Sequence, residues 1–266
     1  MEYGLIGEHL PHSFSKEIHG RCADYDYQLK ELTPDQIPAF MQTRAFQAIN
    51  VTIPYKQTVI PYLSFVDENA RNIGAVNTVV NRNGELYGYN TDFYGMVSLI
   101  RRIGLSLEGK KVLILGTGGT SHTAQAVAKS LNAATVLTAG RDVDHPDVTF
   151  EQAYRLHTDA HVIINTTPCG MYPYADGTPD RAGTPIDIAC FPNLCGVVDV
   201  VYNPIRTNLV LDAKERGIPA EGGLYMLVAQ AVRASEIFLD TEYPSETIER
   251  IYAKIFSQKE TVVLIG

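Results

Sequence analysis

Val112-Leu113-Ile114-Leu115-Gly116-Thr117-Gly118-Gly119-Thr120-Ser121 is an apolar run that breaks into glycines, and a helix-compatible stretch from Thr123 to Leu131 follows at once. That is the order of a strand, a phosphate-cradling turn and a helix start. Without side chains, Gly116, Gly118 and Gly119 let the backbone turn sharply and approach a pyrophosphate, which then rests against the N-terminal amides of the helix. Thr120 and Ser121 complete the turn. Ser121 occupies the third glycine position of the Gly-x-Gly-x-x-Gly fingerprint and is small enough for close helix packing. A dinucleotide is the first partner this stretch implies.

The end of the next strand selects between dinucleotides. A site for NAD usually places an acidic residue roughly 20 positions on, where it bonds the ribose 2′-hydroxyl. Here the strand Ala134 to Thr138 runs into Ala139-Gly140-Arg141-Asp142. The Arg141 guanidinium is a planar fork of donors suited to a 2′-phosphate, so NADP is favoured over NAD. Asp142 beside it keeps a contact to a 2′-hydroxyl open if the loop turns.

The remaining composition narrows the class. A chain of 266 residues is comfortable for two domains, and 45% hydrophobic with 20% charged residues describes an ordinary globular protein. A formal charge of −8 argues against nucleic acid as a partner. Cys22, Cys169, Cys190 and Cys195 are scattered without zinc-ligand spacing, and His9 and His12 flank Pro11 with no third ligand, so no metal is expected. The N-terminus lacks a signal-like segment and no run of 18 apolar residues occurs, which points to a cytoplasmic protein without a membrane partner.

Along the chain, strand and helix signals alternate in two blocks. In the first, strands are expected at Tyr3 to Ile6, Tyr25 to Glu31 and Ala48 to Ile53. Helices are expected at Lys16 to Asp24, Pro34 to Thr43 and Tyr62 to Asn72. Val76 to Val80 and Glu85 to Tyr89 flank Asn83-Gly84, a strong hairpin signal, and Phe93 to Ile103 reads as a helix. The second block continues with strands Ala160 to Asn165 and Gly196 to Val201, then helices Asn208 to Arg216, Tyr225 to Leu239 and Ser245 to Phe256. The predicted class is α/β with two domains. Residues 1–104 plus about 236–266 form an open, mostly parallel substrate domain, and residues 105–235 form a Rossmann-type domain. Ligands are expected at the carboxyl ends of strands, in a cleft between the blocks.

Polar clusters stand at those strand ends: Gly7 to Ser15, Asn50-Val51-Thr52-Ile53-Pro54-Tyr55-Lys56, Gly74 to Thr78, and Asn90-Thr91-Asp92. Together with the glycine-rich turn, Asn165 to Pro168, Asp199 to Pro204 and Gly223 to Gln230, they resemble the shikimate dehydrogenase family over nearly the whole chain and in the correct order. The resemblance implies reversible NADP-dependent reduction of 3-dehydroshikimate to shikimate, a step towards chorismate and the aromatic amino acids. It implies Lys56 as the acid/base group and Asp92 as the partner that bonds the same hydroxyl and orients the lysine. Ser13 and Ser15 would hold the substrate carboxylate with Tyr202 nearby, and Asn50, Thr52, Asn77, Asp92 and Gln230 would meet ring oxygens. Gly223 would lie near the nicotinamide, with Thr166 and Thr167 on the cofactor path.

Two positions depart from the family pattern: Lys16 replaces the proline after Ser-x-Ser, and Gly140-Arg141-Asp142 replaces Asn-Arg-Thr. The apolar ending Thr261 to Gly266 resembles the first strand and first glycine of a P-loop kinase. This implies either a fused shikimate kinase-like domain downstream of Gly266 or an ordinary apolar tail. A quinate/shikimate dehydrogenase using NAD and a non-catalytic NADP-binding regulator are the alternatives; a regulator is expected to have lost Lys56 or Asp92. Monomer and homodimer are both open.

Overall fold

The structure, a computed structural model, describes residues 1–10, 14–141, 146–172 and 183–265, with side chains described as far as 258. Ser13, His12, Asp142 and Gly266 lie outside the described residues. The chain divides into two compact units, Met1–Gly95 with Val228–Ile255, and Met96–Leu227 with Phe256–Gly266.

The first unit opens with β1 (Tyr3–Gly7), α1 (Ser15–Cys22), β2 (Tyr27–Glu31), α2 (Ile37–Thr43) and β3 (Ala48–Val51). It continues with β4 (Phe65–Val66), α3 (Glu68–Ile73), β5 (Thr78–Arg82), β6 (Glu85–Tyr89) and the start of α4 (Thr91–Arg102). Its six strands lie in the order β2-β1-β3-β5-β6-β4, with β5 alone running against the others. The reversal at β5 comes from the Asn83-Gly84 turn, where both residues have positive φ, 55° and 88°, as a two-residue hairpin with right-handed twist requires. Side chains alternate between the two sheet faces. Ile6, Ile49, Val79 and Leu86 pack with Ile37 and Met41 on one face, and Leu5, Tyr27, Ala48 and Val80 pack with Ala234 and Phe238 on the other.

The second unit contains β7 (Lys111–Leu115), α5 (Gly119–Ser130), β8 (Thr135–Gly140), β9 (Val148–Thr149), α6 (Phe150–Leu156) and β10 (Val162–Asn165). After these come β11 (Gly196–Asp199), α7 (Asn208–Glu215) and β12 (Ala220–Glu221). All its strand pairs are parallel, in the order β9-β8-β7-β10-β11-β12, the doubly wound arrangement whose chain direction switches between β7 and β10. Their near-continuous apolar sequences fit a sheet covered on both faces. The chain ends in α8 (Leu224–Leu239) and α9 (Thr247–Ile265).

The structure departs from the sequence reading in four places. The helix expected over Tyr62 to Asn72 is broken: Phe65–Val66 pairs with β6, and α3 starts only after Asp67, whose carboxylate accepts the amides of Asn69 and Ala70. β9 and α6 lie where no element was expected, and so does β12. α9 continues through Ile265, so the tail read as a kinase-like strand is helical. The two compact units divide the chain inside α4, α8 and α9, at 95/96, 227/228 and 255/256.

Candidate active site

In the first unit the chain leaving β3 turns at once. Thr52 donates its amide to Ile6, Tyr55 donates to the Thr52 carbonyl, and Val76 donates to the Lys56 carbonyl at 2.8 Å. Buried Tyr55 anchors this bend through its hydroxyl, which donates to Leu32. Lys56 is thereby fixed by backbone on both sides of its position. Its Nζ lies 2.6 Å from Asp92 Oδ2, and the two side chains are 27% and 18% exposed. Asp92 stands in the first turn of α4, where the helix dipole favours a carboxylate.

Beside this ion pair is a nearly dry polar network. Asn77 Oδ1 accepts the Thr91 amide at 2.8 Å and so caps α4, while its Nδ2 donates to Thr91 Oγ1 at 3.1 Å. Asn90 closes the same helix start, accepting the Phe93 amide and donating to the Ala75 carbonyl. Asn50 donates to the Asn77 carbonyl and to Thr78 Oγ1, and Thr91 Oγ1 donates to Gln230 Oε1 at 3.3 Å. Thr52 packs its methyl where a Cβ on Gly7 would come within 2.6 Å, so Gly7 is required for β1 to pass. The structure thus brings together Lys56 with Asp92, and Asn50, Asn77 and Gln230 through Thr78 and Thr91. Ser15 opens α1. The linking residues Thr78 and Thr91 were not singled out from sequence, although both sit inside the quoted motifs.

In the second unit, Gly116 has φ +104°, and a Cβ there would meet Thr166 Oγ1 at 2.9 Å and Thr167 Cγ2 at 3.0 Å. Thr166 donates its amide and its hydroxyl to the Leu115 carbonyl, which ties the end of β7 to the end of β10 at the switch point. A Cβ on Gly118 or Gly119 would meet no described atom within 4 Å, so the start of α5 is open to a ligand. Buried Ser121 donates its amide to the Gly118 carbonyl. Arg141 directly follows β8 and is exposed. Gly223 donates to the Val201 carbonyl, and a Cβ on it would lie 2.1 Å from the Val200 oxygen, so only glycine fits at the entry to α8. Tyr202 lies in this unit, and burial pushes its phenol pKa up.

Two buried titratable groups were not found from sequence. Asp199, at the end of β11, accepts from Asn165 Nδ2 at 2.9 Å, the Val201 amide at 3.0 Å and Thr207 Oγ1 at 2.6 Å. Burial outweighs these bonds and raises its pKa to about 6. His19, in the first unit, is driven by burial down to about 3. The signs are opposite. The carboxyl of Asp199 binds its proton more tightly folded than unfolded, so its contribution is fully present below the ordinary carboxyl value and is lost as pH rises through about 6. The contribution of His19 is present above 6.5 and is lost as pH falls towards about 3. Asp199→Asn is expected to flatten the pH dependence of urea-unfolding stability between pH 4 and 6 by up to about 3 kcal/mol. An unchanged slope in that window would refute this reading of Asp199.

A doubly wound parallel sheet with a side-chain-free phosphate turn, joined in one chain to a mixed sheet carrying a lysine–aspartate pair, defines a dinucleotide-dependent oxidoreductase. The model of the shikimate dehydrogenase substrate binding domain matches residues 5–79. Shikimate dehydrogenase (NADP(+)) of Clostridium perfringens strain 13 is 33% identical over 270 residues, covering 95% of this chain and 97% of that protein; the chain belongs to the shikimate dehydrogenase family. Among solved structures, a chorismate mutase/shikimate 5-dehydrogenase fusion protein from Clostridium acetobutylicum superposes with a TM-score of 0.89 at 30% identity, over 97% of this chain and 98% of that one. The shikimate 5-dehydrogenase of Listeria monocytogenes, in complex with shikimate and NAD, gives 0.81 at 29% identity, over 94% and 96%.

Proposed function

We propose that this chain catalyses the reversible NADP-dependent reduction of 3-dehydroshikimate to shikimate, as a cytoplasmic enzyme. The observation that carries the chemistry is the 2.6 Å contact between Lys56 Nζ and Asp92 Oδ2 beside a polar network able to grip a hydroxylated ring. The dinucleotide fits the residues present. The start of α5 has open space where side chains at Gly118 and Gly119 would stand, Thr166 and Thr167 border Gly116, and Arg141 supplies a guanidinium for a 2′-phosphate.

When bound, NADPH supplies the hydride that reduces the ketone carbon. The work of the protein is to place a proton and hold the ring. The ammonium of Lys56 donates its proton to the ketone oxygen as negative charge builds there, and the neutral amine takes a proton back from the hydroxyl in the reverse direction. Asp92 keeps the amine aimed at that oxygen and accepts a hydrogen bond from the hydroxyl formed. Ser13 and Ser15 hold the carboxylate, and Tyr202 is the phenol assigned to the same group. Thr52, Asn77 and Gln230 meet the ring oxygens, and a ring lacking one of them leaves a buried amide or hydroxyl unpaired, which is costly.

The test is NADPH absorbance during incubation with 3-dehydroshikimate, run beside NADH and beside 3-dehydroquinate. Oxidation with NADPH and 3-dehydroshikimate is the expected result. Absence of substrate-dependent oxidation with either cofactor overturns the proposal.

A further inference from the structure

Tyr27, the first residue of β2, is 2% exposed and has no place in the chemistry above. Its surroundings nevertheless link two residues of the substrate site. On α1, Ser15 and His19 are one helical turn apart and lie on the same face. The Tyr27 ring stacks on His19 with centroids 4.0 Å apart and planes at 11°. Its hydroxyl donates to Asn50 Oδ1 at 2.8 Å, and the Ser15 side chain is hydrogen-bonded to the same phenol. His19 is held in turn, with Nδ1 2.5 Å from the Tyr25 hydroxyl.

The donor inventory of Asn50 is then complete. A primary amide carries two N–H donors and one oxygen that accepts two bonds. One hydrogen of Asn50 goes to the Asn77 carbonyl at 3.2 Å and the other to Thr78 Oγ1 at 3.1 Å, while the oxygen receives Tyr27. No hydrogen of Asn50 is left over for a ring oxygen.

We infer that Tyr27 is a positioning residue that fixes where Ser15 presents its hydroxyl oxygen, and that Asn50 is the anchor of this arrangement. The serine hydrogen can rotate from the phenol to a carboxylate without its oxygen moving, so the site is set before the ligand arrives and ordering it costs little on binding. The inference rests on the proposed function for the identity of the ligand.

Tyr27→Phe keeps the stacked ring and removes only the hydroxyl. The KM for 3-dehydroshikimate is expected to rise about tenfold, the effect of losing one net hydrogen bond, with kcat changed by less than about threefold and the KM for NADPH unchanged. In a Ser15→Ala background the same change is expected to add nothing, because the phenol acts through that serine. An unchanged KM in Tyr27→Phe, or a full multiplicative effect on top of Ser15→Ala, overturns the inference.

Two readings need no turnover. Amide hydrogen exchange at Ile18 and His19 is expected to accelerate in Tyr27→Phe, and no acceleration overturns the inference. In the unaltered protein the Asn50 carboxamide hydrogens are expected to exchange more slowly than those of exposed asparagines, and equal rates overturn it even if the variant does not fold. Failure of the parent protein to turn over would sink the proposed reaction alone, leaving these exchange measurements to decide the role of Tyr27.

Discussion

Lys56→Ala is expected to lower kcat for 3-dehydroshikimate reduction by about 10³-fold, within the range that a positioned proton donor contributes. The size follows from how narrowly the ammonium is placed. Backbone hydrogen bonds fix the turn at Thr52 and Tyr55 and the carbonyl of Lys56 itself, and Asp92 fixes Nζ at 2.6 Å. No other lysine stands in the described polar network, so water is the remaining proton donor. The KM for NADPH is expected to stay within about twofold, because an interaction made only in the transition state registers in kcat. Steady-state kinetics with both substrates varied makes the comparison. A parallel loss of NADPH affinity would mean that Lys56 supports the fold and not the reaction.

Arg141→Ala is expected to raise the KM for NADPH about 30-fold while leaving that for NADH nearly unchanged, so that cofactor selectivity collapses. A charge-assisted, two-pronged contact to a phosphate is stronger than a neutral hydrogen bond, and its loss at a solvent-facing site costs on the order of 2 kcal/mol. Residues around Arg141 keep the end of β8 stationary. Asp147 accepts the amide and the hydroxyl of Thr138, and buried Gly140 is so closely flanked that a Cβ would meet Pro146 at 3.3 Å and Thr117 at 3.4 Å. The guanidinium therefore leaves a rigid strand end. Equal losses with NADPH and NADH would place Arg141 away from the 2′-phosphate.

The second unit was legible because its strands are apolar runs ended by glycine or a cap, and these signals are local. The same holds for the Asn83-Gly84 hairpin, where two residues with positive φ decide the turn. What escaped the sequence reading depended on short capped pieces or on partners distant in the chain. α6 has only seven residues, yet Thr149 and Gln152 form a capping box that a search for Ser/Thr-x-x-Glu/Gln would have found. Asp67 likewise marked the start of α3.

In the candidate site, the family resemblance pointed to Lys56 and Asp92, whereas the contacts of Thr78, Thr91 and Tyr27 arise where β2, β3, β5 and α4 come together, which no spacing encodes. Asn50 carries the same lesson. The family resemblance implied a ligand, and its partners spend both of its hydrogens inside the protein.

The glycines of the phosphate turn, one motif when read as letters, answer to two separate demands. Gly116 is required by the polypeptide itself, since its positive φ and the threonines beside it exclude a side chain. Gly118 and Gly119 face open space and bear no comparable steric constraint from the described fold. Alanine at either should therefore yield a protein that folds and melts much as the parent does but no longer admits a pyrophosphate. A selection for soluble expression would be blind to their loss, and only a selection for cofactor capture would retain them.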